Sequence, residues 1–218
     1  MHDYPRDSFY RIGWNLSRCV FDLCFPVEAH GQENLPTRGA YIIAANHLSY
    51  LDPPAIGVCI DHDLSYFARK SLFKGPFNRI LRRVHAIPVD RDGSDIQAMK
   101  EALRTLARGL PLVLFPEGRR SDDGNLQPAK RGIGLLSLKA GVPVVPCRIF
   151  NSGSAWGRNR PPCLGTRIEV RFGTPVSPEA LKREARKEPD LYQGAADRIM
   201  RAIAEIGGSA EPAPSDGH

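Results

Sequence analysis

Residues 86–115, AIPVDRDGSDIQAMKEALRTLARGLPLVLF, contain the pattern that decides the fold. Residues 86–90 and 110–115 read as short strands bounded by Asp, Gly or Pro. Between them Ile96, Met99, Leu103, Leu106 and Leu110 step by three and four, which is one apolar stripe on a helix. Ser94 and Gln97 read as a capping box at its start, and Gly109 stands where a C-terminal glycine belongs. Working outward, residues 41–46, 64–69, 142–149 and 167–172 read as further strands. A helix over 71–83 sets Leu72, Phe73, Phe77, Ile80, Leu81 and Val84 against Lys74, Arg79, Arg82 and Arg83. A shorter one over 132–140 is stopped by Gly141. Strands alternating with helices of this length predict an α/β fold: a largely parallel mixed sheet of about six strands, flanked by helices on both faces.

An amphipathic helix is expected ahead of the sheet. Over residues 9–25 the polar Arg11, Asn15, Arg18 and Asp22 step by four, three and four and so share one narrow face. The rest of that surface is apolar and aromatic, with Phe9, Ile12, Trp14, Leu16, Val20, Phe21, Leu23 and Phe25. Such an arc suits a helix lying in a membrane interface. It equally suits a helix packed on the domain with its polar stripe outward, and the two coexist if part of the arc packs and part faces lipid. The division that follows is an N-terminal helix over 1–30, one domain over 31–207 and a small, polar, Pro-containing disordered tail over 208–218.

The composition bounds the function. The chain has 218 residues, 42% of them hydrophobic and 25% charged, enough apolar surface for a sizeable core and too much for disorder. No apolar run approaches the ~18 residues of a membrane span, mean hydropathy is -0.31, and no secretory leader is visible. Thirty Lys plus Arg against 24 Asp plus Glu give net +6, which favours an anionic partner. Five cysteines without a CxxC pair point to a reduced, cytoplasmic setting.

The candidate chemistry lies at strand ends, where α/β proteins hold ligands. Asn46-His47-Leu48-Ser49-Tyr50-Leu51-Asp52 follows directly on a strand. A histidine there suits a general base, and an aspartate five residues on can turn back to it and stabilise the imidazolium. Asp52 before Pro53-Pro54 equally reads as a helix N-cap, and His47 as a structural loop histidine. Arg91, Arg119, Arg120, Lys130 and Arg131 cluster at other strand and helix ends, an arrangement that favours binding of a phosphate. Dispersed basic residues without a recognised motif argue against nucleic acid as a partner. The absence of a second histidine at ligand spacing argues against a metal hydrolase.

These residues carry a resemblance. NHLSYLD resembles the Asn-His-x4-Asp block of the glycerolipid acyltransferase family, typified by the 1-acyl-sn-glycerol-3-phosphate acyltransferases. FKGPF (73–77) through AIPVDR (86–91) resembles its second block, FPEGRRS (115–121) is similar to its Phe-Pro-Glu-Gly-Thr-Arg-Ser, and VPVVP (142–146) matches its fourth. The four stand in the family's order across roughly residues 31–172. The resemblance implies the glycerol-3-phosphate acyltransferase-like fold, with N-terminal helices seated on the membrane.

It also implies roles. His47 would be the general base toward the acceptor hydroxyl and Asp52 its orienting partner. Arg91, helped by Arg120 and Lys130, would contact the acceptor phosphate. Glu117 and Gly118 would shape the glycerol pocket, Glu117 holding an acceptor hydroxyl or a binding arginine, with backbone donors near Gly118 for the oxyanion. The implied reaction moves a fatty acyl group from acyl-CoA or acyl-[acyl-carrier protein] to the free hydroxyl of lysophosphatidate, giving phosphatidate. The same chemistry on glycerol 3-phosphate, a lyso-ornithine lipid or another lysophospholipid is the alternative, and a non-catalytic anionic-lipid-binding relative a more remote one. No cofactor or metal is expected. The expected partners are the acceptor, the acyl thioester donor and an anionic membrane surface, with the protein peripheral on the inner face of the cell membrane. Three departures bear on the acceptor: Arg119 for the usual threonine, His85 for a glycine before Ile-Pro-Val, and Ala129 for an aromatic ahead of Lys130.

Overall fold

The computed structural model describes residues 8–90, 95–158 and 160–207. Seven strands, Val27–His30 (β1), Ile42–Ala45 (β2), Ser65–Arg69 (β3), Ala86–Val89 (β4), Leu112–Leu114 (β5), Val144–Phe150 (β6) and Ile168–Phe172 (β7), form one sheet in the order β1-β7-β6-β2-β5-β3-β4. Every neighbouring pair is parallel except β6 with β7. The expected α/β class holds, with one strand more than the pattern shows. That strand is β1, which falls among residues 1–30; its Glu28 and His30 give it too little apolar character to stand out.

The strand alternation supplies two cores. Ile43 and Ala45 of β2, Val113 of β5 and Val145, Cys147 and Ile149 of β6 pack on one face, beneath helices Ser8–Cys24 (α1) and Asp52–Val58 (α2). Ile42, Ala44, Leu112, Leu114 and Val144 point to the other. There they meet Ile96–Ala107 (α4), Arg131–Ala140 (α5), Pro178–Ala185 (α7) and Leu191–Ala204 (α8). β2 lies between β5 and β6 with all four residues buried, so its loop starts from the most rigid part of the sheet.

α1 divides the arc read from its sequence. Tyr10, Trp14, Phe21 and Cys24 turn inward, whereas Ile12, Leu16, Val20 and Leu23 are exposed. Trp14 Nε1 donates to the carbonyls of Gly57 and Ile60, and the Leu64 N–H donates to the Tyr10 hydroxyl. Tyr10 also stacks on His85, just ahead of β4, while the far end of α1 leads through Phe25 into β1. The helix therefore braces the sheet from one rim to the other. His85 takes φ +56°, the left-handed conformation that glycine adopts freely. The Tyr10 stack, Asp63 Oδ2 at 3.2 Å from its Nε2 and the Ser65 hydroxyl on its carbonyl hold a histidine where the family pattern has glycine.

Two helical expectations need correction. The single helix over 71–83 is a 3-10 turn, Lys70–Leu72, followed by Gly75–Arg83 (α3). Pro76 fits only the first helical turn, and Gly75 enters it at φ +53°, so the chain breaks there. At α4 the cap is Asp95, whose carboxylate accepts the Ala98 N–H at 2.8 Å. Ser94 and Arg91 lie outside the described residues, as does the tail over 208–218.

Candidate active site

The C-terminal ends of the adjacent strands β2 and β5 carry His47 and Glu117. Asn46, the last residue before the turn, is held by the neighbouring strand: its Nδ2 donates to the Ile149 carbonyl at 3.0 Å and its Oδ1 accepts the Ile149 N–H at 2.7 Å. The next residue, His47, therefore leaves the sheet in a fixed direction.

His47 Nδ1 and Asp52 Oδ2 are 2.7 Å apart, both residues being buried. The same oxygen accepts the N–H groups of Leu48 at 2.6 Å and Ser49 at 2.7 Å. Asp52 thus folds its own preceding loop into a turn around the imidazole. Helix α2 starts at Asp52 with Leu51 as its N-cap residue, so the N-cap reading of Asp52 does not apply. A carboxylate oxygen already holding two donors takes the ring nitrogen as a third donor, which leaves the lone pair on Nε2. Phe115 stacks on the ring with centroids 4.1 Å apart and planes 21° apart, which sets the imidazole plane.

Glu117 joins the same assembly from below. Its Oε1 accepts the His47 N–H at 3.1 Å and its Oε2 the Gln127 N–H at 3.3 Å. Both oxygens serve backbone donors, so in this structure Glu117 holds the His47 loop itself. Burial pushes its carboxyl up to about 7, against the pull of those two hydrogen bonds. The Ser121 N–H donates to the His47 carbonyl at 2.8 Å, closing the FPEGRRS segment over the NHLSYLD turn.

The expected cations divide. Gly118 stands at φ +68°, and a Cβ there would lie 2.6 Å from Cε of Lys130, so the lysine stem crosses directly over the glycine. The Gly118 N–H is taken by the Phe115 carbonyl and is not a free oxyanion donor. The Arg120 guanidinium lies 3.4 Å from the centre of the Tyr50 ring, and its Nη1 is buried with no hydrogen-bond partner among the described residues. Arg119 is exposed, and Arg131 pairs with Asp190 at 2.6 Å, at the start of α8. Among the described residues no group of three or more His, Cys, Asp or Glu side chains converges as a metal site.

Three participants escape a reading of the sequence. The Asn46 clamp depends on a strand 103 residues away, and Phe115 as a ring partner depends on strand order. The third is the short helix Ser152–Trp156 (α6) after β6: the Ser49 hydroxyl donates to the Trp156 carbonyl at 2.5 Å, and the Trp156 ring lies 6.2 Å from that of Tyr50. That segment braces the outside of the His47 turn. Only Asn46 carried a local signal, as a polar side chain at the end of an otherwise apolar strand.

A largely parallel sheet whose ligand edge sets a histidine–carboxylate pair against a buried Phe-Pro-Glu-Gly loop defines a class. The chain belongs to the acyltransferase family, whose model matches residues 26–150. It is 30% identical to the 1-acyl-sn-glycerol-3-phosphate acyltransferase of Bacillus subtilis, across 63% of this chain and 69% of that one. It is 31% identical to the enzyme of the same name from Limnanthes alba, across 70% of this chain and 55% of that one, so the match spans little more than half of the plant protein. The fold is similar to the crystal structure of the 1-acyl-sn-glycerophosphate (LPA) acyltransferase PlsC from Thermotoga maritima. The TM-score is 0.72 at 25% identity, covering 90% of this chain and 77% of that one.

Proposed function

We propose that the protein transfers a fatty acyl group from acyl-CoA or acyl-[acyl-carrier protein] to the free hydroxyl of lysophosphatidate, giving phosphatidate. The observation that carries this reading is the 2.7 Å contact of His47 Nδ1 with Asp52, which leaves Nε2 with its lone pair. Nε2 removes the proton from the acceptor hydroxyl as its oxygen attacks the thioester carbonyl carbon. Asp52 stabilises the imidazolium that forms. The tetrahedral intermediate then collapses, the C–S bond breaks, and the thiolate takes the proton from His47 as it leaves. Water, metal and nucleotide are not consumed.

Arg120 supports an anionic acceptor, because a buried guanidinium N–H without a partner is costly until a phosphate oxygen accepts from it. Lys130 adds a second cation above Gly118. In this reading Arg91 is a further phosphate contact. The exposed stripe Ile12, Leu16, Val20 and Leu23 on α1 suits a peripheral protein resting on the inner face of the cell membrane.

The test is acyl transfer by purified wild type and His47→Ala, with lysophosphatidate and glycerol 3-phosphate offered in parallel, each with CoA and carrier-protein thioesters. Phosphatidate from lysophosphatidate, with turnover lowered ~10²–10⁴-fold in the variant, is the expected result. Full activity of His47→Ala overturns the mechanism, and product from glycerol 3-phosphate alone overturns the acceptor.

A further inference from the structure

Alone among the eight α-helices of the described residues, α3 buries none of its side chains. Phe77 is 53% exposed and Ile80 43%, three residues apart on one face; Leu72, just ahead of the helix, is 48% exposed. Residues 69–84 contain six cations, Arg69, Lys70, Lys74, Arg79, Arg82 and Arg83, and no Asp or Glu. Among the described residues none of the six pairs with a carboxylate: Arg82 donates to Asn78 Oδ1 and Arg83 lies over the Phe9 ring. That last contact joins the end of α3 to the start of α1.

We infer that α3 is a second lipid-contacting element, seated on an anionic bilayer alongside α1. The inference rests on the acyltransferase reading and names the surface from which its site is supplied. An acidic protein would answer the six cations but leave Leu72, Phe77 and Ile80 in water. A bilayer interface takes both, with headgroups meeting the cations and acyl boundary meeting the apolar side chains. The position has a catalytic consequence. Beside α3, at the C-terminal ends of β3 and β4, lies a cavity of about 630 Å³ whose lining includes Arg69, Lys70, Lys74, Asn78 and Arg82, with Asp90 as its one acidic residue. It lies at the same sheet edge as His47 and Glu117, two to three strands along from His47 and one to two from Glu117. Seating α3 on lipid brings that edge to the membrane, so an acceptor with its chain in the bilayer reaches the site by lateral movement.

The experiment is co-sedimentation of the full chain with vesicles of phosphatidylglycerol and phosphatidylcholine, and of phosphatidylcholine alone. Wild type is compared with Phe77→Ser/Ile80→Ser and with Arg79→Glu. Expected is preferential binding to the anionic vesicles, weakened roughly tenfold or more by the double variant and about fivefold or more by Arg79→Glu. Thermal unfolding of Arg79→Glu matches wild type, and that of the double variant is lowered by only a few degrees, since about half of each replaced apolar side chain is already in solvent. Turnover of a short-chain, water-soluble lysophosphatidate is unchanged, while turnover of a vesicle-embedded acceptor falls with binding. Wild-type partition in both variants, absence of wild-type binding to anionic vesicles, or binding of acyl carrier protein at Phe77 in place of vesicles overturns the inference. The sedimentation readout needs no turnover, so a protein that binds lipid through α3 and acylates nothing contradicts only the enzymatic reading.

Discussion

The carboxyl of Glu117, pushed up to about 7 by burial, changes protonation where assays are commonly run. Its ordinary value is 4.5, so between the two values the folded protein holds a proton that the unfolded chain has released. Stability from this group therefore falls as pH rises from about 4.5 to about 7 and levels off above. Glu117→Gln removes the titration. Denaturant unfolding at about pH 5 and about pH 8 should show the variant gaining on wild type at the higher pH; parallel behaviour at both would refute the assignment. At this scale the sequence was legible where partners are near in the chain. His47 and Asp52 are five residues apart, and a turn joins them. Glu117 was legible as a carboxylate at a strand end, but its backbone partners depend on how β2 and β5 lie together.

Helix α8 illustrates how far elements could be read. Its buried side carries Gly194, Ala195, Ala196, Ile199, Ala202 and Ile203, a face on which four of the six residues are Gly or Ala. Such faces pack by close approach. At Gly134 of α5, a Cβ would lie 1.8 Å from the Tyr192 carbonyl oxygen and 2.9 Å from the Ala196 nitrogen, both backbone atoms of α8. Gly134→Ala must push the two helices apart, and we expect a loss of ~1–3 kcal/mol or more, read as a lowered urea midpoint at unchanged slope. An unchanged midpoint would show that the two helices do not pack this closely. The long, periodic body of α4 was legible although its cap was not, whereas the break before α3 turns on Gly75-Pro76, a pair easily read through when apolar residues continue on both sides.

Across the whole molecule, the parallel class followed from the alternation of strands and helices. Strand order did not, because β1 and the antiparallel β7 pair through contacts that no local pattern encodes. Asn46 shows what that order achieves, joining β2 to β6 by two hydrogen bonds through one amide. Asn46→Ala leaves the Ile149 N–H and carbonyl without that partner. A destabilisation of roughly 2–4 kcal/mol is expected, together with reduced turnover as the His47 turn loses its anchor. Wild-type stability in thermal denaturation would contradict this role.

The brace formed by α1 also has a thermodynamic side. Its 17 residues extend ~25 Å, close to the ~29 Å across seven strands, and its contacts fall near both rims. Detaching the helix releases Trp14 from α2, Tyr10 from the β4 rim and Phe21 from the core together. Any surface that binds the outer stripe of α1 only while the helix is docked would therefore act on the fold as a ligand does, stabilising both rims at once by mass action.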